Sequence, residues 1–145
     1  MRLGHRVHTS ATAAQVWDLL ARPAAWPQFM LLLGRVRGAD GEAQTGHRLL
    51  GITRVASIGI PVDVVEAVRE RRLILLISTA PGLREQVTFH VTPAVRGGCE
   101  IEVAVVVEGL LAPLGTLPLF LASTLGTRLL AARAEGSARR SRGVA

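Results

Sequence analysis

Apolar and polar side chains alternate along much of the chain, and this alternation predicts β-strands, because successive side chains of a strand point to opposite faces. In residues 84–92, Val87, Phe89 and Val91 share one face, and the side chains between them are polar. Segments that contain glycine and proline separate such stretches and indicate turns. The pattern predicts seven strands, at Leu3–Thr9, Leu32–Arg37, His47–Val55, Pro61–Val68, Leu73–Thr79, Arg84–Thr92 and Glu100–Glu108.

Two short helices are predicted between the first strand and the second. Thr12 is a good N-cap for a helix over residues 13–20, and residues 24–31 have the spacing of a second helical piece. The second piece is expected to bring Trp26 and Phe29 together, either at the mouth of a cavity beneath it or as a plug of the core.

The C-terminal part of the chain contains a long segment, residues 110–133, with no charged side chain between Glu108 and Arg128. Its helical spacing predicts one long helix that ends at Gly136. Two interpretations compete, a membrane anchor with a basic flank and the central helix of a soluble domain. Two prolines, several hydroxyl side chains and strands that need an apolar partner favour a helix covered by the sheet. The leucines expected beneath that cover are Leu114, Leu117, Leu121, Leu125 and Leu129.

Length and composition predict one domain. The chain has 145 residues, 49% of them hydrophobic and 19% charged, which is typical of a compact globular protein. We expect a single domain at residues 1–136, followed by a disordered basic tail at residues 137–145. Strands joined by short loops pair antiparallel, so the expected class is α+β, with the long helix laid across a seven-stranded sheet.

Composition also disfavours several functional classes. The formal charge is +6, but aromatic residues make up only 3%, so a nucleic-acid interface is not indicated. Cys99 is the single cysteine, which excludes an internal disulfide and leaves no cysteine–histidine cluster for zinc. The first residues lack the apolar core of a signal peptide. We therefore expect a cytoplasmic protein without cofactor, metal, nucleic-acid partner or stable membrane insertion.

Five short motifs follow one another in an order typical of one superfamily. They are Val16-Trp17-Asp18-Leu19-Leu20, Trp26-Pro27-Gln28-Phe29, Gly46-His47-Arg48, Arg71-Arg72-Leu73 and Gly97-Gly98-Cys99. Over residues 3–135 the chain resembles the START-like, helix-grip (SRPBCC) superfamily, and within it the polyketide cyclase/dehydrase and lipid-transport branch.

This resemblance implies a Bet v 1/START-like fold, in which a curved sheet wraps around the C-terminal helix and leaves a deep apolar cavity for a lipid, sterol, hormone or polyketide. Some members only carry their ligand, whereas the aromatase/cyclases fold and dehydrate a poly-β-keto chain with polar side chains in the cavity. The usual Gly-Gly-Thr is Gly-Gly-Cys at Cys99. Aliphatic side chains, Val68 and Leu76 or Ile77, stand where aromatase/cyclases have pocket arginines, so those arginines are not carried over.

Two acids are predicted to be catalytic, Glu66 as the main acid–base group and Glu85 as a second one. If residues 69–72 form a turn that pairs Val68 with Leu73, Glu66 lies on the inner face of the sheet opposite Leu75. A slip of one residue would turn Glu66 to solvent, so this alternative stays open. Glu85 is also expected on the inner face, either in the pocket or at its rim. Glu85 is expected two strands from Glu66, about 10 Å across the sheet, and four residues or about 13 Å further along it, so the two acids act separately.

The inner faces of the predicted elements supply the candidate ligand-binding side chains. They are Trp26, Phe29, Leu32, Thr53, Val64, Val68, Leu75, Thr79, Phe89, Val103, Phe120 and Thr124. The facing of Arg48 and Arg54 is left open, because both faces of their strand are equally plausible inner faces. None of the histidines has a triad-like partner in the sequence, so a solvated or hydrogen-bonded role is expected for each.

The expected function is that of a polyketide cyclase-like protein. It would bind a hydrophobic small molecule in the cavity and promote cyclisation or dehydration by conformational control and acid–base catalysis. The alternatives are a non-catalytic carrier of a lipid or other hydrophobic ligand, and a lipid-transfer protein tethered to membranes by its basic tail.

Overall fold

The computed structural model describes residues 2–38, 40–110 and 112–143, and for residues 112–120 it describes the backbone alone. Helix α1 spans Ala13–Leu20, a 3₁₀ helix spans Pro23–Gln28, and helix α2 spans Ala112–Gly143. The strands β1 to β7 span Arg2–Thr9, Leu33–Arg37, Arg48–Thr53, Gly59–Val68, Arg72–Ala80, Leu83–Pro93 and Cys99–Glu108. The seven predicted strands are thus found, with ends that differ by at most two residues.

The strands form one antiparallel sheet in the order β1-β7-β6-β5-β4-β3-β2. Strands β2 to β7 follow one another as a meander, because short connections join neighbouring antiparallel strands. Strand β1 pairs with β7, so the start of the chain lies beside its last strand. The curved sheet packs against α2, which contacts β1, β6 and β7. The predicted α+β helix-grip architecture is confirmed.

Alternation along the strands places one face of the sheet in the core. In β6 and β7 the inward side chains are buried, and their neighbours are exposed or half-buried. Helix α1 adds Val16, Trp17 and Leu20 to this core. The inward side chains of β7 are Cys99, Ile101, Val103, Val105 and Val107.

The two short helical segments differ in type. Helix α1 begins with a capping box, in which the Thr12 hydroxyl accepts from the Gln15 N–H and the Gln15 side chain accepts from the Thr12 N–H. The predicted second helix is a 3₁₀ helix, with Pro23 at its start and Pro27 inside it. Trp26 is fully buried, and its indole N–H donates to the Leu20 carbonyl at 2.8 Å.

Helix α2 is longer than predicted. Gly136 does not end it, because this glycine keeps a helical backbone instead of the left-handed conformation of a C-cap. Residues 137–143 continue the helix, and Ala138 is buried, so the expectation of a disordered tail is wrong for these residues. The last two residues of the predicted tail, Val144 and Ala145, lie outside the described residues.

The expected leucine stripe of α2 faces outward. Leu121 and Leu125 are each 53% exposed and Leu129 is 37% exposed, whereas Leu114 and Leu117 lie where side chains are not described. The buried positions of α2 are Gly126, Thr127, Leu130, Ala131, Ala134 and Ala138 among the residues whose side chains are described. In the described parts of the chain, no helix has the length and hydropathy needed to cross a membrane.

Candidate ligand-binding cavity

A cavity lies between helix α2, the inner face of the sheet and the segment that follows the 3₁₀ helix. The described residues of its walls are apolar except for Glu85 and three hydroxyl side chains. Residues 29–33, named the cover segment below, form one side. The other described lining residues are Ile60, Ile77, Thr79, Glu85, Val87, Phe89, Ala122, Ser123, Gly126 and Thr127.

The cavity is small in this conformation. Its volume is about 60 Å³, which is room for only a few water molecules. Pockets that hold small organic ligands measure about 300–1,000 Å³. A ligand of that size therefore requires one wall to move.

The cover segment is held from two sides. Arg54, just after β3, donates from its backbone N–H to the Leu32 carbonyl and from Nε to the Leu31 carbonyl, both at 3.0 Å. Its guanidinium also donates to the Pro27 carbonyl. The Arg54 side chain is exposed and binds the backbone around the cover segment, so it does not point into the core of the sheet.

Helix α2 holds the other side of the cover segment at Gly126. A Cβ atom at this position would lie 2.2 Å from the Phe29 carbonyl oxygen, so only glycine permits the observed approach. The Phe29 ring is buried and meets the Phe89 ring edge to face, with centroids 6.4 Å apart and an interplanar angle of 85°. This aromatic pair fills part of the space that a ligand would use.

Glu85 is the acid of the cavity. It lies opposite Ile77 on β5 and Val107 on β7, both buried, so its side chain points inward and is only 8% exposed. Burial raises the pKa of Glu85 to about 7, because a low-dielectric site disfavours the charged carboxylate. The neighbouring Thr79 hydroxyl favours the charged form and offsets a part of that rise in pKa.

Glu85 and Thr79 each have one buried polar atom without a hydrogen-bond partner among the described residues. Glu85 Oε2 and Thr79 Oγ1 are both buried and make no hydrogen bond that meets ordinary geometry, although the two side chains are neighbours. Buried polar atoms without partners are uncommon in folded proteins and are often found where a ligand or water completes the site. Glu85 and Thr79 therefore present free hydrogen-bonding capacity to the cavity.

Glu66 lies on the opposite face of the sheet, which corrects its predicted inward position. A β-bulge between Val64 and Glu66 inserts one residue, so Val64 pairs with Leu75 whereas Glu66 pairs with Ile74. The carboxylate accepts a hydrogen bond from the Arg72 guanidinium at 2.5 Å. Glu66 is thus part of a half-buried surface ion pair and does not line the cavity.

Four of the predicted ligand-binding residues line the cavity: Phe29, Leu32, Thr79 and Phe89. The prediction missed lining residues on α2, where small side chains such as Ser123 and Gly126 gave no hydrophobic signal. Thr127 lines the cavity too, and its hydroxyl donates to the Ser123 carbonyl at 2.8 Å.

Other predicted ligand-binding residues lie elsewhere. Trp26, Val64, Leu75 and Val103 are buried in the core, where neighbouring side chains cover them on all sides. Thr53 bonds the Val55 carbonyl in the turn after β3. Val68 lines a separate, open groove with Arg69, Arg71, Arg72 and His90. Thr124 is half-buried on α2 beside the described lining, and the Phe120 side chain lies outside the described residues.

Two further titratable groups with shifted pKa values lie away from Glu85, the half-buried His5 and the buried Cys99. Burial lowers the pKa of His5, and the nearby Arg128 lowers it further. Burial raises the pKa of Cys99, which keeps its thiol protonated and unreactive. Arg48 is exposed beside Asp63, with Nε 3.6 Å from the carboxylate. The described lining of the cavity includes none of these groups.

Comparison with known proteins agrees with this architecture. The model of a family described as polyketide cyclase/dehydrase and lipid transport matches residues 2–141. No curated protein matches the chain significantly in sequence. A START superfamily protein from Mycobacterium smegmatis is 15% identical, with a TM-score of 0.65 over 96% of this chain and 97% of that one.

Two other solved structures extend the comparison. A protein in the dynemicin biosynthetic locus is 17% identical, with a TM-score of 0.72 over 92% of this chain and 47% of that one. A protein from Rhodobacter sphaeroides is 24% identical, with a TM-score of 0.67 over 91% of this chain and 90% of that one. At these identities the three structures show a shared fold.

Proposed function

Because the chain belongs to the polyketide cyclase/dehydrase and lipid transport family, we propose that it binds a hydrophobic, oxygen-bearing small molecule of polyketide type and promotes its cyclisation or dehydration. The cavity under α2 supports the binding step, since its walls are almost entirely apolar. The cover segment is the wall that we expect to move when a ligand enters, because it is irregular backbone whose main restraints are the Arg54 hydrogen bonds and the contact with Gly126.

The main support for catalysis is the position of Glu85. A carboxyl group with a pKa of about 7 is present in both protonation states near neutral pH, so it both accepts and donates a proton. The same group lies between Ile77 on β5 and Val107 on β7, which are buried and make its surroundings largely apolar. Perturbed acids inside apolar cavities are typical of catalytic sites. The assignment replaces Glu66 with Glu85 as the main acid–base group.

Dehydration requires one proton to move twice. Ionised Glu85 removes a proton from the carbon beside a carbonyl group, and the electron pair of the broken C–H bond forms an enolate. The enolate then expels the β-hydroxyl group, which leaves as water with the proton that Glu85 returns. In cyclisation the enolate carbon instead attacks a second carbonyl carbon of the same ligand, and Glu85 returns its proton to the new alkoxide. The cavity shape decides which carbons meet.

The test uses an aryl β-hydroxy ketone, whose loss of water gives a conjugated enone with near-ultraviolet absorption. Glu85→Gln keeps the size of the side chain and removes proton exchange, so it should lower kcat at least about 100-fold with little change in KM. The wild-type rate should rise through about pH 7, where Glu85 ionises. Glu66→Gln is the matched control and should keep full activity, because that acid lies on the outer face of the sheet. Equal rates for wild type and Glu85→Gln would refute the role of Glu85.

A carrier is the second candidate, because Glu85 is the one ionisable side chain among the described lining residues. A carrier would bind the ketone, measured by displacement of anilinonaphthalene sulfonate, and release it unchanged. Absence of turnover in the wild type, combined with binding that the bulky substitution Val87→Phe abolishes, would favour the carrier over the enzyme.

A further inference from the structure

Helix α2 carries an outward face that the domain does not cover. Leu121, Leu125 and Leu129 recur every fourth residue along this face and are 53%, 53% and 37% exposed. Residues at this spacing lie above one another and form a continuous ridge on a helix. The sequence pattern alone predicts burial of these leucines, so their exposure requires a separate explanation.

Arginines flank the leucine ridge on both sides. At 100° per residue, Arg128 lies about 60° to one side of Leu125 and Arg133 about 80° to the other. Both side chains are exposed, as are Arg139, Arg140 and Arg142 further along the helix. The acid of α2 is Glu135, and its carboxylate already accepts from the Thr9 hydroxyl and the Ser10 N–H, both at 3.1 Å. The exposed face of the helix is therefore apolar along its centre and positive along its flanks.

We propose that this face of α2 docks reversibly on an anionic lipid surface, with the leucines entering the interface and the flanking arginines contacting lipid phosphates. An apolar stripe between long basic side chains suits this partner, since arginine stems lie along the apolar boundary while the guanidinium groups reach the headgroups. Docking of this kind holds the helix parallel to the surface and does not insert it.

Charge complementarity favours a lipid surface over a second copy of the chain. Two copies joined through this face would bring the two rows of arginines together, and the described residues of the face offer no free carboxylate to pair with them. Like charges placed together disfavour such a dimer. The inference does not depend on the function of the cavity, because Leu121, Leu125 and Leu129 are not among the described residues that line it.

The test is co-sedimentation of the full chain with vesicles of phosphatidylcholine that contain about one quarter phosphatidylglycerol. We expect the chain to bind these vesicles and to bind vesicles of phosphatidylcholine alone more weakly. Binding to the anionic vesicles should fall as the salt concentration is raised. Leu121→Ser with Leu125→Ser should lower the partition coefficient at least about tenfold, because less apolar surface enters the interface.

Matched variants distinguish binding through this face of α2 from binding through charged or apolar side chains elsewhere on the surface. Arg128→Gln with Arg133→Gln should lower the partition coefficient about 30-fold, which corresponds to about 1 kcal/mol for each arginine near an anionic surface. Arg35→Gln with Arg37→Gln removes the same charge from exposed positions on β2 and should have a much smaller effect. Val55→Ser with Ile58→Ser is the control for exposed apolar side chains. Circular dichroism confirms that each variant remains folded.

Three results would overturn the proposal. The first is failure of the wild type to bind the anionic vesicles at low salt. The second is an equal loss of binding in the α2 variants and in their controls, which would indicate attraction by net charge alone. The third is a dimer in light scattering that Leu121→Ser with Leu125→Ser dissociates, without vesicle binding, which would make the face a contact between two copies.

Discussion

Replacement of Glu85 by glutamine should remove the pH dependence of stability that this buried acid imposes on the protein. The pKa of Glu85 is about 7 in the folded protein against an ordinary value of 4.5. Between these two values the folded state holds a proton that the unfolded state has released, so the free energy of unfolding falls as the pH rises through this window. Ionisation of Glu85 at high pH therefore destabilises the folded protein.

The size of the effect follows from the same two values. The difference between 4.5 and about 7 corresponds to about 3 kcal/mol at a pH well above 7. At about pH 5 most of that cost is absent, so the free energy of unfolding of wild type relative to Glu85→Gln should drop by about 2.5 kcal/mol between about pH 5 and about pH 8. Glutamine is neutral at every pH and does not share this loss.

Urea unfolding monitored by tryptophan fluorescence at a series of pH values measures this difference. The matched control is Glu108→Gln on β7, an exposed acid for which the curve of the variant should run parallel to that of the wild type. A constant difference between wild type and Glu85→Gln across the series would show that Glu85 is ionised at low cost. The carboxyl group would then be solvated, and its proposed acid–base role would lose its physical basis.

Three other substitutions test the arrangement around the cavity. Gly126→Ala should destabilise the protein by about 1–3 kcal/mol in urea unfolding, because the added Cβ would meet the Phe29 carbonyl. The control, Gly136→Ala, has open space around it and should be neutral or stabilising. Equal effects of the two substitutions would contradict the close approach at Gly126. Arg54→Ala should speed hydrogen exchange of the cover segment, since the side-chain hydrogen bonds to the Leu31 and Pro27 carbonyls are lost and only the backbone bond to Leu32 remains; unchanged exchange would show that the Arg54 side chain does not restrain the segment. Trp26→Phe should lower the free energy of unfolding by about 1–3 kcal/mol, because it leaves the Leu20 carbonyl unpaired. It should leave the binding of anilinonaphthalene sulfonate unchanged, and a large loss of binding would indicate that Trp26 contacts the ligand at the cavity mouth.

The strands could be predicted from the sequence because the alternation of apolar and polar side chains along each strand indicates which face is buried. The register of one hairpin could not. A bulge between Val64 and Glu66, together with Glu70 in a left-handed conformation in the following turn, shifts the pairing of β4 with β5. Neither feature has a strong sequence signal here, since Glu70 is not the glycine that such a backbone favours. A single extra residue was enough to move Glu66 to the outer face.

The facing of α2 could not be predicted for a different reason. Its leucines give the strongest apolar pattern, but the close approach to the cover segment requires a face of small side chains such as Gly126. Small residues contribute little to a hydrophobic pattern, although they decide how near two elements can come. The inward facing of Glu85 could be predicted because the pairing of its strand with β7 has no irregularity between Glu85 and Val91, so simple alternation holds there.

The closure of the sheet by β1 has a consequence for the order in which the protein folds. Strands β2 to β7 pair with sequence neighbours, so the meander forms through short loops with a small entropy cost. The contacts of Thr9 with Glu135 join positions 126 residues apart, and they form only after both ends of the chain have come together. Because such distant contacts slow folding, we expect the meander to form first and the docking of β1 and α2 to be the late, rate-limiting step. Until that step is complete, the inner face of the meander stays exposed, so the newly made chain depends on its last residues for protection against aggregation.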